Sequence, residues 1–413
     1  MVHAPRLLYL LPLAGGTYAV LSWLLGAFHH SPWQLPGVVL RVVWTLQRTL
    51  LSYIARGCKP LFPEWTLPFE LVRALVHELL LHYGDRIATR TTAPILRRQS
   101  ELFGNAIAYF TNRTNQTTSE SFQFNGLEHV WVRAAAPSPR SHVPKYRVVV
   151  LYFHGGGHVI LSPRMYQGFA SNLQTRLRQV LAEKLGGASD RNLQVDVLLA
   201  NYRKAPEYPY PRPPLDALAM YKYLLDHENL SPHQILVMGD SAGGGLALTT
   251  MLRLRDEDPA LLPVAGVLSC PFVDRETKGD ERMTPFCLLT DRATTAFHKA
   301  YFEGGASPST SDDSSPVHCD LRGLPPVYIQ VGELDYILSH SKRLHQRAHA
   351  CGLMNWTLEI VPNMPHDFPL LPPTILPTAA KGIEAMAQYA AVQLAETLHK
   401  NDTKASAGIF QSR

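Results

Sequence analysis

Residues 146–153 read YRVVVLYF, a nearly continuous run of β-branched and aromatic side chains. A run of this kind is typical of a strand buried on both faces of a parallel sheet. Further short apolar runs follow at 195–200, 235–238, 264–269, 327–331 and 356–361, and residues 127–135 alternate apolar and polar side chains. Helical periodicity separates these runs, at about 163–185, 213–228, 243–255, 291–302, 339–350 and 375–399. The alternation predicts the α/β class, with a mostly parallel central sheet flanked by helices.

The composition excludes several other classes of protein. Of the 413 residues, 46% are hydrophobic and 18% charged, and the 27 Gly and 32 Pro are scattered, which excludes collagen-like, coiled-coil and largely disordered chains. The net charge of +5 comes without a long run of like charges, so we expect no nucleic-acid partner. The five cysteines form no CxxC pair and no zinc-site spacing, so we expect no metal.

The amino-terminal segment is strongly apolar. Residues 7–28 contain no Asp, Glu, Lys or Arg, and as a helix they would span about 33 Å, enough for a bilayer core. We interpret the segment as a membrane anchor, with a cleaved signal peptide and a buried core helix as the alternatives. A second apolar stretch, 35–55, is interrupted by Arg41 and Arg48. It predicts an amphipathic helix that lies at the membrane interface or over an apolar surface.

Two signals disagree about the side of the membrane on which the rest of the chain lies. Basic residues are more numerous after the apolar segment than before it, which favours the cytosol under the positive-inside rule. Acceptor sequences for N-glycosylation favour the lumen instead. These are Asn112, Asn115, Asn355 and Asn401, together with Asn229, whose acceptor is weakened by the nearby Pro232. We predict a lumenal main domain.

A G-x-S-x-G sequence lies between the run at 235–238 and the next helical pattern. It reads Gly239-Asp240-Ser241-Ala242-Gly243, and a strand, this motif and a helix in that order form a nucleophile elbow. The turn is so tight that side chains at Gly239 and Gly243 would collide with neighbouring elements. It raises the Ser241 hydroxyl above the sheet, at a helix N-terminus that favours developing negative charge. We therefore predict that Ser241 is a nucleophile.

Three glycines follow the first buried strand, in the sequence His154-Gly155-Gly156-Gly157. Consecutive glycines let backbone N–H groups point into the space where an acyl oxyanion would form. We assign an oxyanion hole to Gly155, Gly156, Gly157 and Ala242, with Gly155 mainly shaping the turn. A phosphate-binding loop is the weaker alternative, because the Lys and Ser/Thr of a P-loop are absent. We interpret His154 as a structural anchor of the loop.

A serine nucleophile needs a general base and an acid that orients the base, in the chain order Ser, Asp or Glu, His. Polar stretches follow the runs at 327–331 and 356–361, and they read Gly332-Glu333-Leu334-Asp335 and Pro362-Asn363-Met364-Pro365-His366-Asp367. Both stretches lie where the carboxyl end of a strand is expected. We predict Asp335 as the acid and His366 as the base. Glu333 is the alternative acid, and we interpret Asp367 as a surface residue.

Taken together, these motifs resemble the hormone-sensitive-lipase family of α/β-hydrolases. The resemblance covers about residues 125–395 and rests on the segments 154–157, 201–207 (NYRKAPE), 239–244 and 324–335 and on His366. It implies an α/β-hydrolase fold, a catalytic triad of Ser241, Asp335 and His366, and a helical cap before residue 125. His158 stands where the family usually has an aromatic residue, which puts the shape and polarity of the acyl pocket in question. The amino-terminal segment further resembles the membrane-anchored arylacetamide-deacetylase and fungal steryl-acetyl-hydrolase branch, whose members face the lumen of the endoplasmic reticulum.

The resemblance and the apolar segments together divide the chain into four parts. We expect a membrane anchor or uncleaved signal at 1–30, an amphipathic linker and helical cap at 31–124, a catalytic domain at 125–400 and a flexible tail at 401–413. The expected activity is that of a serine hydrolase without metal or cofactor, which deacylates apolar short-chain esters, such as sterol or secondary-metabolite acetates, delivered from the lipid bilayer. Acyl transfer from the same acyl-enzyme and a non-catalytic lipid-binding module are the alternatives. Nothing in the sequence indicates an oligomeric state.

Overall fold

The fold is built around one eight-stranded sheet. This computed structural model describes residues 20–29, 31–135, 145–186, 193–303 and 313–411, with the backbone alone for 400–411. The strands of the sheet are β1 (Thr117–Phe124), β2 (Leu127–Ala134), β3 (Tyr146–Phe153), β4 (Leu193–Ala200), β5 (Ile235–Asp240), β6 (Ala265–Ser269), β7 (Val327–Gly332) and β8 (Thr357–Val361). They lie side by side in the order β1-β2-β4-β3-β5-β6-β7-β8. The predicted mostly parallel sheet is therefore confirmed.

Pairing within the sheet changes direction once. β2 pairs antiparallel with both of its neighbours, β1 and β4. All the remaining neighbours, from β4 across the sheet to β8, pair parallel. Asn125 and Gly126 form the turn between β1 and β2 with φ of 52° and 72°, the pattern that suits a two-residue hairpin. Because the carboxyl ends of parallel strands meet at one edge of a sheet, the loops after β3, β5, β7 and β8 lie together.

Helices cover both faces of the sheet. They are α1 (Leu35–Ala55), α2 (Leu67–Tyr83), α3 (Ala93–Asn115), α4 (Gln167–Lys184), α5 (Arg212–Asp226), α6 (Ser241–Glu257), α7 (Asp291–Phe302), α8 (Leu338–Ala350) and α9 (Thr378–Gln411). The apolar sides of α5, α6 and α8 pack on one face, and those of α4 and α9 pack on the other. Alternate residues of β3 belong to these two clusters, as expected of a strand buried on both faces.

A cap of α1, α2, α3 and α7 lies at the edge where the loops meet. Its apolar cluster includes Val38 of α1, Leu79 of α2 and Phe297 of α7, and it extends to Val159 in the loop after β3. α1 and α2 carry proline at the start of the helix, a position that needs no backbone N–H. The cap therefore contacts the loop that the sequence assigns to oxyanion binding.

Two predicted boundaries are wrong. β1 belongs to the sheet although we placed residues up to 124 in the cap; its sequence, TTSESFQF, is polar because β1 is an edge strand whose side chains are mostly exposed. α9 continues to Gln411, through most of the segment predicted as a flexible tail, since residues 401–411 contain no proline to end the helix. Both errors come from segments without a clear apolar pattern.

The predicted membrane anchor lies mainly outside the described residues, because only residues 20–28 of the apolar segment 7–28 are described. Within the described ranges, no helix has both the length and the hydropathy that a membrane span requires. The amphipathic helix expected over 35–55 is present as α1.

Candidate active site

The strand, turn and helix expected around Ser241 are present between β5 and α6. β5 ends at Asp240, and α6 begins at Ser241, whose φ of 48° lies in the left-handed region. Close packing explains the glycines: a Cβ on Gly239 would lie 2.3 Å from the carbonyl oxygen of Gly243, and a Cβ on Gly243 would lie 2.0 Å from that of Phe153. Only glycine fits at both positions. Ser241 therefore stands in a strained turn at the N-terminus of a helix, where negative charge is favoured.

The loops after β7 and β8 bring Asp335 and His366 together. Nδ1 of His366 lies 3.0 Å and 2.9 Å from the two carboxylate oxygens of Asp335, and both side chains are buried. The backbone N–H of Ile337 donates to Oδ1 of Asp335 at 2.9 Å, which holds the carboxylate in place. This pairing favours the imidazole tautomer with its proton on Nδ1 and leaves Nε2 to receive a proton.

Of the two other acidic residues near this pair, Glu333 lies away from the imidazole of His366 and Asp367 lies against it. Glu333, the alternative acid, is exposed and accepts a hydrogen bond from the backbone N–H of Asn363 at 3.1 Å, so it does not reach the imidazole. Asp367 was predicted as a surface residue, and this is wrong. Its φ of 52° turns the side chain inward, where Oδ2 lies 3.1 Å from Nε2 of His366 and only 15% of the side chain is exposed.

His366 therefore lies between two carboxylates. Burial disfavours the imidazolium form, but the negative charges of Asp335 and Asp367 outweigh burial and hold the pKa of His366 well above its usual value. Nε2 has no aligned hydrogen-bond partner among the described residues, Ser241 included. A bond between a serine hydroxyl and its base often tightens only when substrate is bound.

The glycine loop after β3 leaves two backbone donors available. Gly156 has φ of 100°, a conformation that favours glycine, and its carbonyl oxygen accepts bonds from the N–H groups of Val159 and Ile160. Across the described ranges, the N–H groups of Gly156 and Gly157 donate to no protein acceptor. The N–H of Ala242 in the first turn of α6 has no partner within its helix either. These donors are suited to a developing oxyanion.

Gly155 requires a correction to the predicted oxyanion hole. Its N–H donates to Oδ1 of Asp240 at 3.0 Å and to the Tyr166 hydroxyl oxygen at 3.1 Å, so it is not available to a substrate. A Cβ on Gly155 would lie 2.3 Å from Oδ2 of Asp240. Gly155 thus ties the glycine loop to the residue that precedes Ser241.

Asp240 joins β3, the glycine loop and the elbow. Its buried carboxylate accepts hydrogen bonds from the hydroxyl of Tyr152 at 2.8 Å and from that of Tyr166 at 2.9 Å. Burial raises the pKa of Asp240 well above its usual value, and the charge of Asp367 adds to the shift. Neither tyrosine could be identified from the sequence, since the one signal that they carry is that a buried tyrosine hydroxyl usually needs a partner.

Two histidines of the glycine loop are buried and neutral. The ring of His154 stacks on Tyr202 at 4.5 Å, and the Tyr202 hydroxyl donates to the His154 carbonyl oxygen at 2.7 Å. The ring of His158 stacks on Tyr301 of α7 at 4.0 Å. Burial lowers the pKa of His154 well below its usual value and lowers the pKa of His158 to about 3. The two stacked histidines therefore fix the glycine loop against Tyr202 and Tyr301.

Arg97 of α3 connects the cap to the loops around the site. Its guanidinium donates to the carbonyl oxygens of Val159 at 2.7 Å and Ala205 at 2.6 Å. It also forms a two-pronged ion pair with Glu207, at 3.1 Å and 2.8 Å. Arg97 could not be identified as a site residue from the sequence, because nothing in its local sequence indicates the loops that it contacts.

A cluster of potential metal ligands coincides with the candidate acid and base. Among the described residues, Cys270, Asp335 and His366 offer ligand atoms that all lie within 4.8 Å of one another. Burial raises the pKa of the Cys270 thiol far above its usual value, which disfavours the thiolate that metals bind. Nδ1 of His366 is also engaged by Asp335. The donor set therefore fits a hydrogen-bonded pair of acid and base better than a metal centre.

The glycosylation acceptors differ in accessibility. The side-chain amide of Asn112 donates to Ser119 at 2.9 Å, and that of Asn115 donates to Ser171 at 3.0 Å and to Asn172 at 2.7 Å. Both are half-buried at the end of α3, whereas Asn355 and Asn229 are exposed. The side chain of Asn401 lies outside the described residues. Asn355 is thus more accessible than Asn112 or Asn115.

The comparisons with known proteins agree with this geometry. Residues 150–370 match the family model described as alpha/beta hydrolase fold. An acetyl-hydrolase of Streptomyces hygroscopicus is 31% identical over 261 residues, which are 63% of this chain and 78% of that protein. A versiconal hemiacetal acetate esterase of Aspergillus parasiticus is 28% identical over 258 residues, 60% of this chain and 73% of that protein.

A solved structure gives the same result. The crystal structure of an esterase from the bacterial hormone-sensitive lipase family superposes with a TM-score of 0.62 at 27% identity, covering 81% of this chain and all of that one. The matched region contains the elbow and the loops after β3, β7 and β8. The chain therefore belongs to the family of proteins with the alpha/beta hydrolase fold, and within it the chain is a carboxylic ester hydrolase.

Proposed function

We propose that the protein hydrolyses short-acyl esters of apolar alcohols, acetates above all, by way of an acyl-enzyme on Ser241. The observation that carries the proposal is the pairing of His366 with Asp335 at the sheet edge where Ser241 stands in its elbow. The similarity to proteins named acetyl-hydrolase and acetate esterase supports an acetyl substrate.

In the proposed reaction, Oγ of Ser241 attacks the ester carbonyl carbon while Nε2 of His366 takes the hydroxyl proton. Asp335 keeps the imidazole oriented and stabilises its charged form. The N–H groups of Gly156, Gly157 and Ala242 stabilise the oxyanion of the tetrahedral intermediate. His366 then returns the proton to the departing alcohol, and a water molecule releases the acyl group by the same steps.

The rings beside the glycine loop favour a small acyl group. A Cβ on Gly157 would lie 2.4 Å from Cγ of Phe297, so α7 packs directly against the loop. The His158 and Tyr301 rings stack next to this contact. We infer that the acyl pocket lies on this side of the glycine loop, where these side chains would limit the length of the acyl chain.

The membrane-anchored arylacetamide-deacetylase and steryl-acetyl-hydrolase branch is the finer assignment that we propose, with the catalytic domain in the lumen of the endoplasmic reticulum. The apolar segment 7–28 and the exposed acceptor Asn355 support it. A gel shift upon endoglycosidase treatment that disappears in Asn355→Gln would support a lumenal domain, and wild-type protein without glycan would argue against it.

A series of p-nitrophenyl esters tests the acyl preference. We expect kcat/KM for the acetate to exceed that for the octanoate by about tenfold or more, because a filled pocket rejects extra methylenes. The Ser241→Ala variant sets the background. A preference for the octanoate would contradict the proposal, and ester formed with added hexanol in place of free acid would identify an acyltransferase.

A further inference from the structure

The outer side of α1 carries an unusually large exposed apolar surface. Leu40, Trp44, Leu51 and Ile54 are 70%, 63%, 64% and 53% exposed. Their spacing of four, seven and three residues places them on one side of the helix, and Val43 lies among them. We call these five residues the α1 face. Contiguous apolar surface of this kind usually marks an interaction site.

The α1 face is not the inner side of a poorly packed helix. Val38 is buried in the cap cluster together with Leu79 of α2. Arg41 forms an ion pair with Glu78 of α2 at 3.0 Å, and Arg56, just after α1, pairs with Glu70 of α2 at 2.5 Å. The inner side of α1 is therefore fixed on α2, and its outer side is presented to the surroundings.

The aromatic content of this region indicates a lipid–water interface. Trp33, just before α1, is 91% exposed, and Trp23 is 43% exposed. Together with Trp44, these are three of the six tryptophans in the chain. Indole rings concentrate at membrane surfaces, where one part of the ring contacts apolar chains and its N–H contacts water.

The charges of this region favour an anionic partner. Residues 1–63 contain no Asp or Glu but five basic residues. Of these, Arg48 and Lys59 are exposed beside and beyond the α1 face. A basic amphipathic helix with tryptophan at its edges is suited to anionic lipid headgroups, which attract each nearby Lys or Arg.

We propose that the α1 face is a docking surface for an anionic lipid bilayer, on which α1 lies parallel to the membrane plane. Apolar side chains of the face enter the boundary between headgroups and acyl chains, about 5–10 Å deep, while the basic residues contact the headgroups. The cap then lies between the membrane and the glycine loop, because the cluster under α1 extends to Val159. This inference does not depend on the chemistry of Ser241.

A site-specific label tests the docking of α1 separately from insertion of the amino-terminal segment. Full-length Leu51→Cys protein, with Cys58, Cys319 and Cys351 replaced by serine, carries an environment-sensitive dye and is reconstituted into vesicles with or without anionic lipid. The control carries the dye at Met354→Cys, a residue that is 71% exposed and far along the chain from α1.

We expect the dye at Leu51→Cys to shift to the blue only in anionic vesicles. Lipids brominated near the headgroup should quench it more than lipids brominated at the chain end, and the dye at Met354→Cys should respond to neither. Vesicle-bound protein whose Leu51→Cys dye stays in water would overturn the proposal. A blue shift without lipid would also overturn it, and would point to a second copy if it depends on protein concentration and to residues 1–19 if it does not.

Discussion

Oδ2 of Asp367 lies 3.1 Å from Nε2 of His366, the ring nitrogen that takes the proton from Ser241 in the proposed reaction. A carboxylate in this position stabilises the imidazolium and keeps the pKa of His366 high together with Asp335. Because the base acts only when its ring is neutral, activity should rise with pH through the pKa of His366 and reach its plateau above the range of an ordinary histidine.

Replacement of Asp367 by asparagine should therefore shift the acid side of the pH profile. The variant loses one negative charge beside Nε2, so we expect the pKa that governs kcat/KM to fall and the acid side of the profile to move to lower pH. The measurement is kcat/KM against pH for wild type and Asp367→Asn. Glu333→Gln is the matched control, since the Glu333 side chain is exposed and, among the described residues, accepts a hydrogen bond only from the backbone N–H of Asn363. An unchanged profile in Asp367→Asn would mean that Asp367 does not influence the base.

The assignment of the acid can be tested by comparing Asp335→Asn with the same control variant, Glu333→Gln. Asp335→Asn leaves an amide that no longer fixes the imidazole tautomer, and we expect kcat to fall by about 10³ to 10⁴. Glu333→Gln should keep wild-type kcat. The reverse result, a severe loss in Glu333→Gln with a mild effect of Asp335→Asn, would show that the loop after β7 rearranges in the working enzyme.

Tyr166→Phe should weaken the hydrogen bonds that join the glycine loop to Asp240 of the elbow. The buried carboxylate of Asp240 loses one of its donors, which should lower the free energy of unfolding by about 1–3 kcal/mol and also reduce kcat. Urea denaturation and ester turnover measure the two effects. Tyr389→Phe is the control, because the buried Tyr389 hydroxyl has no hydrogen-bond partner within the described ranges and its removal should not destabilise the protein. Equal stability of the two variants would contradict the role given to Tyr166.

Arg97→Ala should loosen the cap from the loops that it contacts. The change removes charged donors from two carbonyl oxygens and from Glu207, and we expect a loss of about 1.5–3 kcal/mol of stability. We also expect KM to rise, because the cap lies over the substrate side of the glycine loop. Arg282→Ala is the matched control, since Arg282 is exposed and, in the part of the chain that the structure describes, its side chain pairs only with Asp280 two residues away. A variant with wild-type stability and KM would show that this contact is not needed.

The parts of the fold with a strong apolar pattern could be predicted from the sequence. β3 and β5 are buried on both faces, so their sequences are almost wholly apolar. The elbow needs glycine because a Cβ on Gly243 would lie 2.0 Å from the carbonyl oxygen of Phe153. β1 was missed because an edge strand with exposed side chains keeps a polar sequence. The apolar sequence pattern indicates which strands are buried, and it does not identify a strand that is only partly buried.

The errors at the candidate site have a different origin. Asp367 follows His366 directly, and only its left-handed φ of 52° shows that the side chain turns inward. The N–H of Gly155 is engaged by Asp240, a contact between loops that are 85 residues apart. Neither the backbone conformation of one residue nor a pairing over that separation can be deduced from residue types along the chain.

The most direct test of the central claim is labelling of the full-length protein with a fluorophosphonate, followed by identification of the modified peptide by mass spectrometry. We predict one adduct on Ser241, formed rapidly in wild type, absent in Ser241→Ala and strongly slowed in His366→Ala. A correctly folded wild-type protein that forms no adduct, or an adduct on another residue that persists in Ser241→Ala, would contradict the account.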